Sequence, residues 1–186
     1  MQEKYGAKLT FSREDALWRG LQVIAERAES LSRFIGAYAR LTKLPPPQPR
    51  LLAIGELVRR AVAVETRLAV RVEEGPPVAM QVDADQMSQL LINLVRNAAD
   101  AALETGGGVT VRWEVRPGDV RLVIEDEGPG IVESANLFVP FYSTKPEGSG
   151  IGLALSRQIA AQHGGTIVLE NRTDRRGARA VVTLPR

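Results

Sequence analysis

Apolar and polar positions follow a helical period in the first part of the chain. Ser12 with Asp15 three residues later is a pattern typical of a helix start, close to a capping box. Apolar residues then recur every three or four positions: Leu17, Leu21, Ile24, Ala28, Leu31, Ile35, Tyr38 and Leu41. This spacing predicts an amphipathic helix of about four heptads, longer than most globular helices. The apolar seam exceeds what one small domain covers, which favours a partner or dimerisation helix over a helix packed on its own domain.

A run of prolines ends this predicted helix. Leu44 is followed by Pro45, Pro46, Pro47, Gln48 and Pro49. Proline interrupts the hydrogen bonds of a helix and stiffens an extended chain, so the run predicts a linker and a domain boundary. We therefore expect three regions: a helix within residues 1–44, a linker at 45–50 and a domain at 51–186.

The rest of the chain alternates between helical and strand periods. Helices are predicted at 54–68, 84–103 and 150–163, and strands at 70–73, 78–82, 109–115, 120–126, 166–170 and 178–184. Asp83 is a suitable N-cap for the second of these helices. Several neighbouring strands are joined by short turns. We therefore expect an α+β fold, a two-layer α/β sandwich in which three helices cover a mixed, mostly antiparallel sheet.

Composition excludes several classes of function. The chain has 186 residues and is 44% hydrophobic, as a folded domain requires. Its 24 basic and 22 acidic residues are too balanced to favour nucleic acid as a partner. The absence of cysteine excludes disulfides and thiolate metal sites. No apolar run is long enough to span a bilayer and the N-terminus is not a signal peptide, so we expect a cytoplasmic domain without direct membrane contact, any anchor lying in a longer parent protein.

Asn93, Asn97 and Asp100 form a narrow polar stripe on the predicted helix at 84–103. Asparagine is a poor residue in the middle of a helix, so two on one face indicate that their amides are needed there. An amide oxygen is a suitable ligand for Mg²⁺, which binds mainly through nucleotide phosphates. Taken alone, the stripe also fits a solvated helix face.

Two glycine clusters follow a predicted buried strand. Asp126 ends the strand before Gly128 and Gly130, and a carboxylate there can accept a hydrogen bond from an exocyclic amine such as that of adenine. Gly148, Gly150 and Gly152 open the last helix, where free N–H groups favour phosphate, and Lys145 lies in the intervening loop. The spacing differs from the dinucleotide-binding fingerprint and from the P-loop motif.

The order of these motifs resembles the catalytic ATP-binding domain of bacterial sensor histidine kinases, within the GHKL ATPase superfamily. The resemblance covers residues from about 50 to 186, and the wording of residues 144–148 with the preceding proline linker is most similar to the nitrogen-regulation group. The stretches that carry it are Asn93–Ala98 (N box), Asp126–Ile131 (G1 box), Phe138–Lys145 (F box) and Gly148–Leu153 (G2 box).

The resemblance implies a Bergerat-type ATP-binding fold and a set of ligands for Mg²⁺-ATP. Asn97 is implied to bind Mg²⁺, Asp126 to bind the adenine amine and Lys145 to bind the phosphates. Residues 132–148 are implied to form a lid over the nucleotide, and Phe138 and Phe141 to pack at the base of this lid. The implied ATP-binding residues are Asn93, Asn97, Asp126, Gly128, Gly130, Ile131, Thr144, Lys145, Gly148, Ser149, Gly150, Ile151, Gly152, Leu153 and Thr183.

The resemblance also distinguishes kinases, which transfer the phosphoryl group of ATP, from ATPases, which hydrolyse ATP. The gyrase, mismatch-repair and chaperone ATPases of the superfamily carry a general-base glutamate at the position of Asn93, and an amide cannot take that proton. We therefore expect an ATP-dependent histidine kinase domain that holds ATP for a histidine nucleophile, with onward transfer to the aspartate of a response regulator.

The expected phosphoacceptor helix is missing from the chain. Residues 12–44 resemble the second helix of the dimerisation and phosphotransfer domain, and the histidine of the first helix is not present. The single histidine, His163, precedes two glycines and is expected to end a helix rather than to act in catalysis. We expect this chain to be a piece of an inner-membrane sensor, and we expect the piece to bind ATP without phosphorylating itself. Whether it pairs with a second protomer is left open. The alternatives are an anti-sigma-type serine kinase and a degenerate nucleotide-sensing module.

Overall fold

The computed structural model describes residues 17–25, 27–28, 35–36, 44–132, 136–143 and 150–186. The chain divides into two compact units, Met1–Ala39 and Arg40–Arg186. In the first unit, residues 17–25 form helix α1, and helical geometry recurs at 27–28 and 35–36. Leu17, Leu21 and Ile24 on this helix are exposed. The predicted helix start at Ser12 and the seam positions Leu31, Tyr38 and Leu41 lie outside the described residues.

The second unit contains three helices and seven strands among its described residues. Residues 44–49 have no regular structure. The elements follow in the order β1 (Arg50–Ala53), α2 (Ile54–Ala63), β2 (Val70–Glu73), β3 (Ala79–Val82), α3 (Ala84–Thr105), β4 (Val109–Arg116), β5 (Asp119–Asp126), α4 (Gly152–Gln162), β6 (Thr166–Asn171) and β7 (Ala178–Pro185).

The strands form one large sheet and one small sheet. The five-stranded sheet has the order β2-β4-β5-β7-β6, and the two-stranded sheet pairs β1 with β3. Only β2 and β4 run parallel; the remaining pairs are antiparallel. The predicted α+β class with a mixed, mostly antiparallel sheet is therefore confirmed, although the strands divide into two sheets.

Helix α3 is the central element of the core. It contacts α2, α4 and the strands β4 and β5. Its apolar stripe is buried at Met87, Leu90, Leu91, Leu94 and Ala98, as the helical period predicts. Alternate residues of the strands, such as Val111, Leu122 and Val182, complete this core, while the positions on the other face include charged side chains.

The N-cap of α3 is the predicted one. Asp83 Oδ1 accepts hydrogen bonds from the backbone N–H groups of Asp85 and Gln86, each at 3.0 Å. These bonds satisfy two of the amide groups that a helix start leaves without partners. At the other end, Gly106 takes the left-handed conformation with φ of 67° and closes the helix.

Two features of this unit differ from the sequence prediction. Helix α2 ends at Ala63 instead of residue 68, because Glu65 accepts bonds from both the backbone N–H and the guanidinium of Arg67. Such local bonds compete with helix continuation. Strand β1 was not predicted, because it is four residues long, begins in the predicted linker and depends on pairing with β3, where Arg50 lies opposite Val82.

Among the described residues, no helix combines the length and the hydrophobicity that crossing a membrane requires.

The ion pair between Glu65 and Arg67 should make stability depend on pH. The Glu65 side chain is 3% exposed, and the hydrogen bond from Arg67 outweighs burial and lowers the pKa of Glu65 from 4.5 to about 2. A carboxyl group whose pKa is lowered on folding stabilises the folded state at pH values above its unfolded pKa. This stabilisation is lost as the pH falls through the folded pKa. We expect urea unfolding between pH 5 and 2 to show a loss of about 1 kcal/mol from this residue, a figure reduced because Arg67 is half exposed.

Glu65→Gln should remove this part of the pH dependence. Glu56→Gln is the matched control, because Glu56 forms only an exposed pair with Arg60 at 3.7 Å. If the wild type and Glu65→Gln lose stability in parallel as the pH falls, the contact contributes nothing to the fold.

Candidate functional site

The polar stripe of α3 faces two different parts of the domain. Asn93 Nδ2 donates to the carbonyl oxygen of Gly152 at 3.3 Å, and Asn93 Oδ1 accepts from Gln89 Nε2 at 2.9 Å. Asn97 lies one turn further along the helix and is half-buried. The structure thus brings Asn93 and the start of α4 together, as the proposed phosphate end of a nucleotide site requires.

Asp100, the third residue of the stripe, is held by the loop after α2. Arg67 Nη1 donates to Asp100 Oδ1 at 2.6 Å. The same guanidinium binds Glu65 through a second nitrogen at 2.6 Å. Arg67 therefore anchors this loop to α3 beside Asn97. This contact is not predictable from the sequence, because a single arginine in a loop has no recognisable pattern.

Asp126 lies at the end of β5 with its side chain buried, 6% of the residue being exposed. Its Oδ1 accepts hydrogen bonds from the N–H groups of Gly128 at 2.9 Å and Ala178 at 3.1 Å. Two donors from different elements fix the orientation of the carboxylate. An ionised carboxylate is an acceptor of the kind that an amine donor needs.

The turn after Asp126 lies directly against α3. A Cβ on Gly128 would be 2.6 Å from Ala101 Cβ and 2.7 Å from the Ala101 carbonyl oxygen. Only glycine allows the backbone to approach the helix this closely. Gly130 has φ of 86°, and a Cβ there would be 2.8 Å from Asn171 Oδ1. Both glycines of the predicted G1 turn are therefore required by the local geometry.

The turn between β6 and β7 supports the G1 turn from behind. Asn171 Oδ1 accepts from the N–H of Ile131 at 2.6 Å, and Asn171 Nδ2 donates to the Ile131 carbonyl oxygen at 3.0 Å. Arg172 Nη1 donates to the Asp126 carbonyl oxygen at 3.3 Å. Gly177, with φ of 129°, packs on the same carbonyl so closely that no side chain fits.

Sequence reasoning missed these supporting residues. The hydrophobic pattern predicts only that residues 171–177 connect two strands. A glycine immediately before a strand and an asparagine at the end of its neighbour were the available signals, but neither shows which backbone atoms they contact. The partner of Asn171 is Ile131, 40 residues away, and the partner of Gly177 is Asp126, 51 residues away.

Charged groups tie the end of α3 to the same turn. Glu127 accepts from the N–H of Gly108 at 3.1 Å and from Arg175 Nη1 at 3.1 Å, and these bonds lower the pKa of Glu127. Thr105 Oγ1 donates to the Glu127 carbonyl oxygen at 2.8 Å. The segment after the predicted adenine-binding carboxylate is thus fixed on both sides.

The second glycine cluster opens α4 beside Asn93. Gly150 has φ of 64°, and its carbonyl oxygen accepts from the N–H of Phe141 at 2.9 Å. Ile151 is buried and Leu153 is half-buried. The Gly152 carbonyl oxygen accepts from Ser156 Oγ at 2.8 Å as well as from Asn93. Four predicted ligands lie outside the described residues: Thr144, Lys145, Gly148 and Ser149.

The predicted base of the lid contacts α4. The guanidinium carbon of Arg157 lies 5.2 Å from the centroid of the Phe138 ring, a cation–π distance. Phe141 has φ of 69°, an unusual value for a residue with a side chain, and contacts Gly150 closely. The described part of the loop is therefore attached to α4 at both phenylalanines.

Thr183 is not brought to the site. It pairs with Arg121 in β5 and with Thr166 in β6. Since Arg121 lies five residues before Asp126, Thr183 is about 17 Å along the strand from the carboxylate and points to the opposite face of the sheet. The residue of β7 that does reach Asp126 is Ala178, through its backbone N–H.

His163 ends α4, as predicted. Its Nδ1 donates to the Ile159 carbonyl oxygen at 2.8 Å, and its Nε2 accepts from the N–H of Asp83 at 3.1 Å. The two contacts select the neutral tautomer with hydrogen on Nδ1. The histidine connects the end of α4 with the start of α3.

Comparison with known proteins identifies a family for the second half of the chain. Residues 82–186 match the family described as Histidine kinase-, DNA gyrase B-, and HSP90-like ATPase. The chain is 32% identical over 161 residues to the C4-dicarboxylate transport sensor protein DctB of Rhizobium meliloti, covering 81% of this chain and 26% of DctB. It is 38% identical over 116 residues to the sensory histidine kinase/phosphatase NtrB of Azospirillum brasilense, covering 54% of this chain and 28% of NtrB.

A solved structure shows the same fold. The mycobacterial sensor histidine kinase MprB superposes with a TM-score of 0.66 at 29% identity, covering 74% of this chain and 97% of the solved chain. The chain thus spans 26% and 28% of the lengths of DctB and NtrB, but nearly the whole of the MprB structure.

Replacing Gly128 should disrupt the G1 turn. Gly128→Ala places a methyl group against backbone atoms of Ala101, which cannot move without shifting α3. We expect a loss of about 2 kcal/mol or more in the free energy of unfolding, within the range for overpacked sites. Chemical denaturation measures this loss.

Gly108→Ala is the matched control, because a Cβ there would meet only Glu127 Oε2 at an ordinary 3.7 Å. Equal stability of the two variants would show that the turn does not need its close approach to α3.

Proposed function

Because the chain belongs to the family of histidine kinase-, DNA gyrase B- and HSP90-like ATPases, we propose that residues 51–186 bind Mg²⁺-ATP and position its γ-phosphate for transfer to a histidine. The observation that carries the proposal is the buried Asp126 carboxylate, oriented by two backbone N–H groups at the end of a glycine turn that touches α3. The proposal treats this domain as the catalytic part of a two-component sensor kinase.

The nucleotide lies along α3 in this proposal. Asp126 binds the adenine amine near Ala101, and Gly150 to Gly152 approach the phosphates near Asn93. Eight helical residues separate Ala101 from Asn93, a length of about 12 Å, which suits an extended nucleoside triphosphate. The N-terminus of α4 supplies N–H groups and a positive dipole end to the phosphate chain. Thr144, Lys145, Gly148 and Ser149 would complete the phosphate contacts.

Asn97 is the proposed protein ligand of Mg²⁺. Its amide is half-buried one turn after Asn93, on the helix face that meets α4. Mg²⁺ retains water and phosphate ligands and needs few protein atoms, so one amide oxygen fits it. Bound Mg²⁺ would neutralise phosphate charge during transfer.

Asn93 favours transfer over hydrolysis. An amide cannot remove a proton from water, and both ends of the Asn93 amide are already bonded, to Gly152 and to Gln89. Hydrolysis at this site therefore lacks a general base at that position. Phosphoryl transfer needs chiefly positioning and charge neutralisation, which the site supplies to another nucleophile.

The phosphoacceptor is proposed to lie outside these 186 residues. The single histidine, His163, closes α4 with both ring nitrogens bonded. The 11 residues of α4 place it about 16 Å from Gly152 and the proposed phosphates. The acceptor histidine would come from a dimeric sensor protomer, and a response regulator would receive the phosphoryl group.

Asp126→Asn should weaken nucleotide binding by tenfold or more. The substitution keeps the volume and removes the charge that the adenine amine is proposed to meet, and hydrogen bonds to charged groups are the stronger ones. Calorimetric titration with a non-hydrolysable ATP analogue and Mg²⁺ measures the affinity. Asp119→Asn at the other end of β5 is the control and should bind like the wild type.

Equal affinity of wild type and Asp126→Asn would place the adenine elsewhere. Without Mg²⁺, the wild type should bind the analogue more weakly. The difference between the affinities with and without Mg²⁺ should be smaller in Asn97→Ala. A Mg²⁺ effect that is unchanged in Asn97→Ala would remove Asn97 as the ligand.

A separate polypeptide carrying a sensor-kinase phosphoacceptor helix should become phosphorylated when mixed with this chain, Mg²⁺ and ATP. The expected product is acid-labile phosphohistidine on the added polypeptide and none on His163. The control polypeptide has its histidine replaced by glutamine. Acid-stable phosphoserine would support a serine kinase instead, and tight ATP binding without transfer would support a nucleotide-sensing module.

A further inference from the structure

The proline-rich segment at residues 44–49 is bound to the ATP-binding domain at two points. Residues 45, 46, 47 and 49 are prolines without an N–H group, so Gln48 supplies the backbone donor within 45–49. That N–H donates to Asp83 Oδ2 at 2.8 Å. Three residues earlier, the Pro45 carbonyl oxygen accepts from Gln86 Nε2 at 2.9 Å. The segment therefore lies on the first turn of α3.

Asp83 divides its two carboxylate oxygens between two tasks. Oδ1 caps α3, and Oδ2 binds Gln48. Burial opposes ionisation, but the N–H donors of Gln86, Gln48 and Asp85 lower the pKa of Asp83 overall. The carboxylate is thus kept charged by the contacts that hold the segment.

Gln86 indicates that the contact with the segment is specific. The residue is 7% exposed, and its Oε1 has no hydrogen-bond partner among the described residues. A buried amide with an unpaired oxygen costs stability unless its other end is well used. Here that other end is the Nε2 group, which binds the Pro45 carbonyl.

Helix α4 is the third element at this junction. The backbone N–H of Asp83 donates to His163 Nε2 at 3.1 Å, and the other ring nitrogen is bonded to Ile159 within the last turn of α4. At its opposite end, α4 meets Asn93 through Gly152. The helix thus connects the proposed phosphate site to the residue that holds the proline-rich segment.

We propose that Asp83 couples the docking of residues 44–49 to nucleotide binding at the other end of α4. The proposal rests on the nucleotide site described above. A nucleotide that fixes the start of α4 also fixes His163 against Asp83, and this favours the arrangement in which Asp83 Oδ2 faces Gln48. Coupling of this kind is reciprocal, so the docked segment strengthens nucleotide binding by the same factor.

Residues 44–49 precede β1, whose Arg50 pairs with Val82 next to Asp83. The direction in which the chain enters the domain is therefore set within a few residues of the junction. Through the contact between Asp83 and Gln48, nucleotide binding would affect the position of the segments that precede the domain.

Amide hydrogen exchange of Gln48, followed by NMR on the full chain, tests the proposal. The amide should be protected, and a saturating non-hydrolysable ATP analogue with Mg²⁺ should slow its exchange about fivefold further, the lower end of typical couplings. In Asp83→Asn, the side-chain oxygen retains the cap while the amide NH₂ faces the Gln48 N–H. Protection of Gln48 should be lost, and nucleotide affinity should fall by about the same factor of five.

A second variant and a control separate coupling from general damage. Gln86→Met removes the bond to Pro45 and also the unpaired oxygen, so the domain stays folded while the segment is released. Gln162→Met is the matched control, because Gln162 also carries a buried unpaired amide oxygen among the described residues but shows no bond to the segment. Thermal unfolding should be unchanged in Asp83→Asn, since asparagine caps as well as aspartate.

The outcomes distinguish the two proposals. If the wild type binds the analogue and Gln48 exchange does not respond to it, the coupling is refuted and the nucleotide site stands. If Asp83→Asn releases Gln48 but leaves nucleotide affinity unchanged, the coupling is likewise refuted. If calorimetry detects no nucleotide binding by the wild type, the proposed function fails first and the coupling falls with it.

Discussion

The close approach of the Gly128 turn to helix α3 is the constraint on which the rest of the site depends. Because residue 128 has no side chain, the turn after β5 lies directly on the helix at Ala101. That position lets Asp126 be held by N–H groups from its own turn and from β7. It also brings the turn that follows Asp126 against the same helix that carries Asn93 and Asn97. The distance between the proposed adenine and phosphate subsites is therefore set by the rigid length of α3.

A second layer of contacts keeps this approach in place. The turn between β6 and β7 contributes Asn171, Arg172 and Gly177, which bond to or pack on the backbone of residues 126–131. These contacts use backbone atoms, so they depend on the path of the chain rather than on side chains of the G1 turn. A nucleotide-binding turn rich in glycine has little conformational preference of its own. The neighbouring turn supplies the rigidity that the glycines lack.

The sequence predicted those features that depend on nearby residues. Asp83 as a cap, the β4–β5 hairpin, the stripe of α3 and the histidine at the end of α4 follow from spacing within one or two turns, and the structure confirms them. Strand β1, the contact of Arg67 with Asp100 and the role of Asn171 depend on partners that lie 26 or more residues away. Thr183 shows the limit most clearly. Alternation located its strand, but only the register with β5 shows that it faces away from Asp126.

Some polar residues within the helices have a low helix propensity and therefore reduce the intrinsic stability of the helix. Asparagine at position 93 is unfavourable within a helix, yet both ends of its amide are bonded, one to the first residue of α4. His163 and Asp83 join the far ends of the same two helices. Helices α3 and α4 are therefore linked by polar bonds at two separate places. Hydrogen bonds are directional, so bonds at two separate places restrict both the rotation and the translation of one helix relative to the other. The proposed nucleotide site needs such a fixed register, because its phosphate subsite lies where the start of α4 meets Asn93.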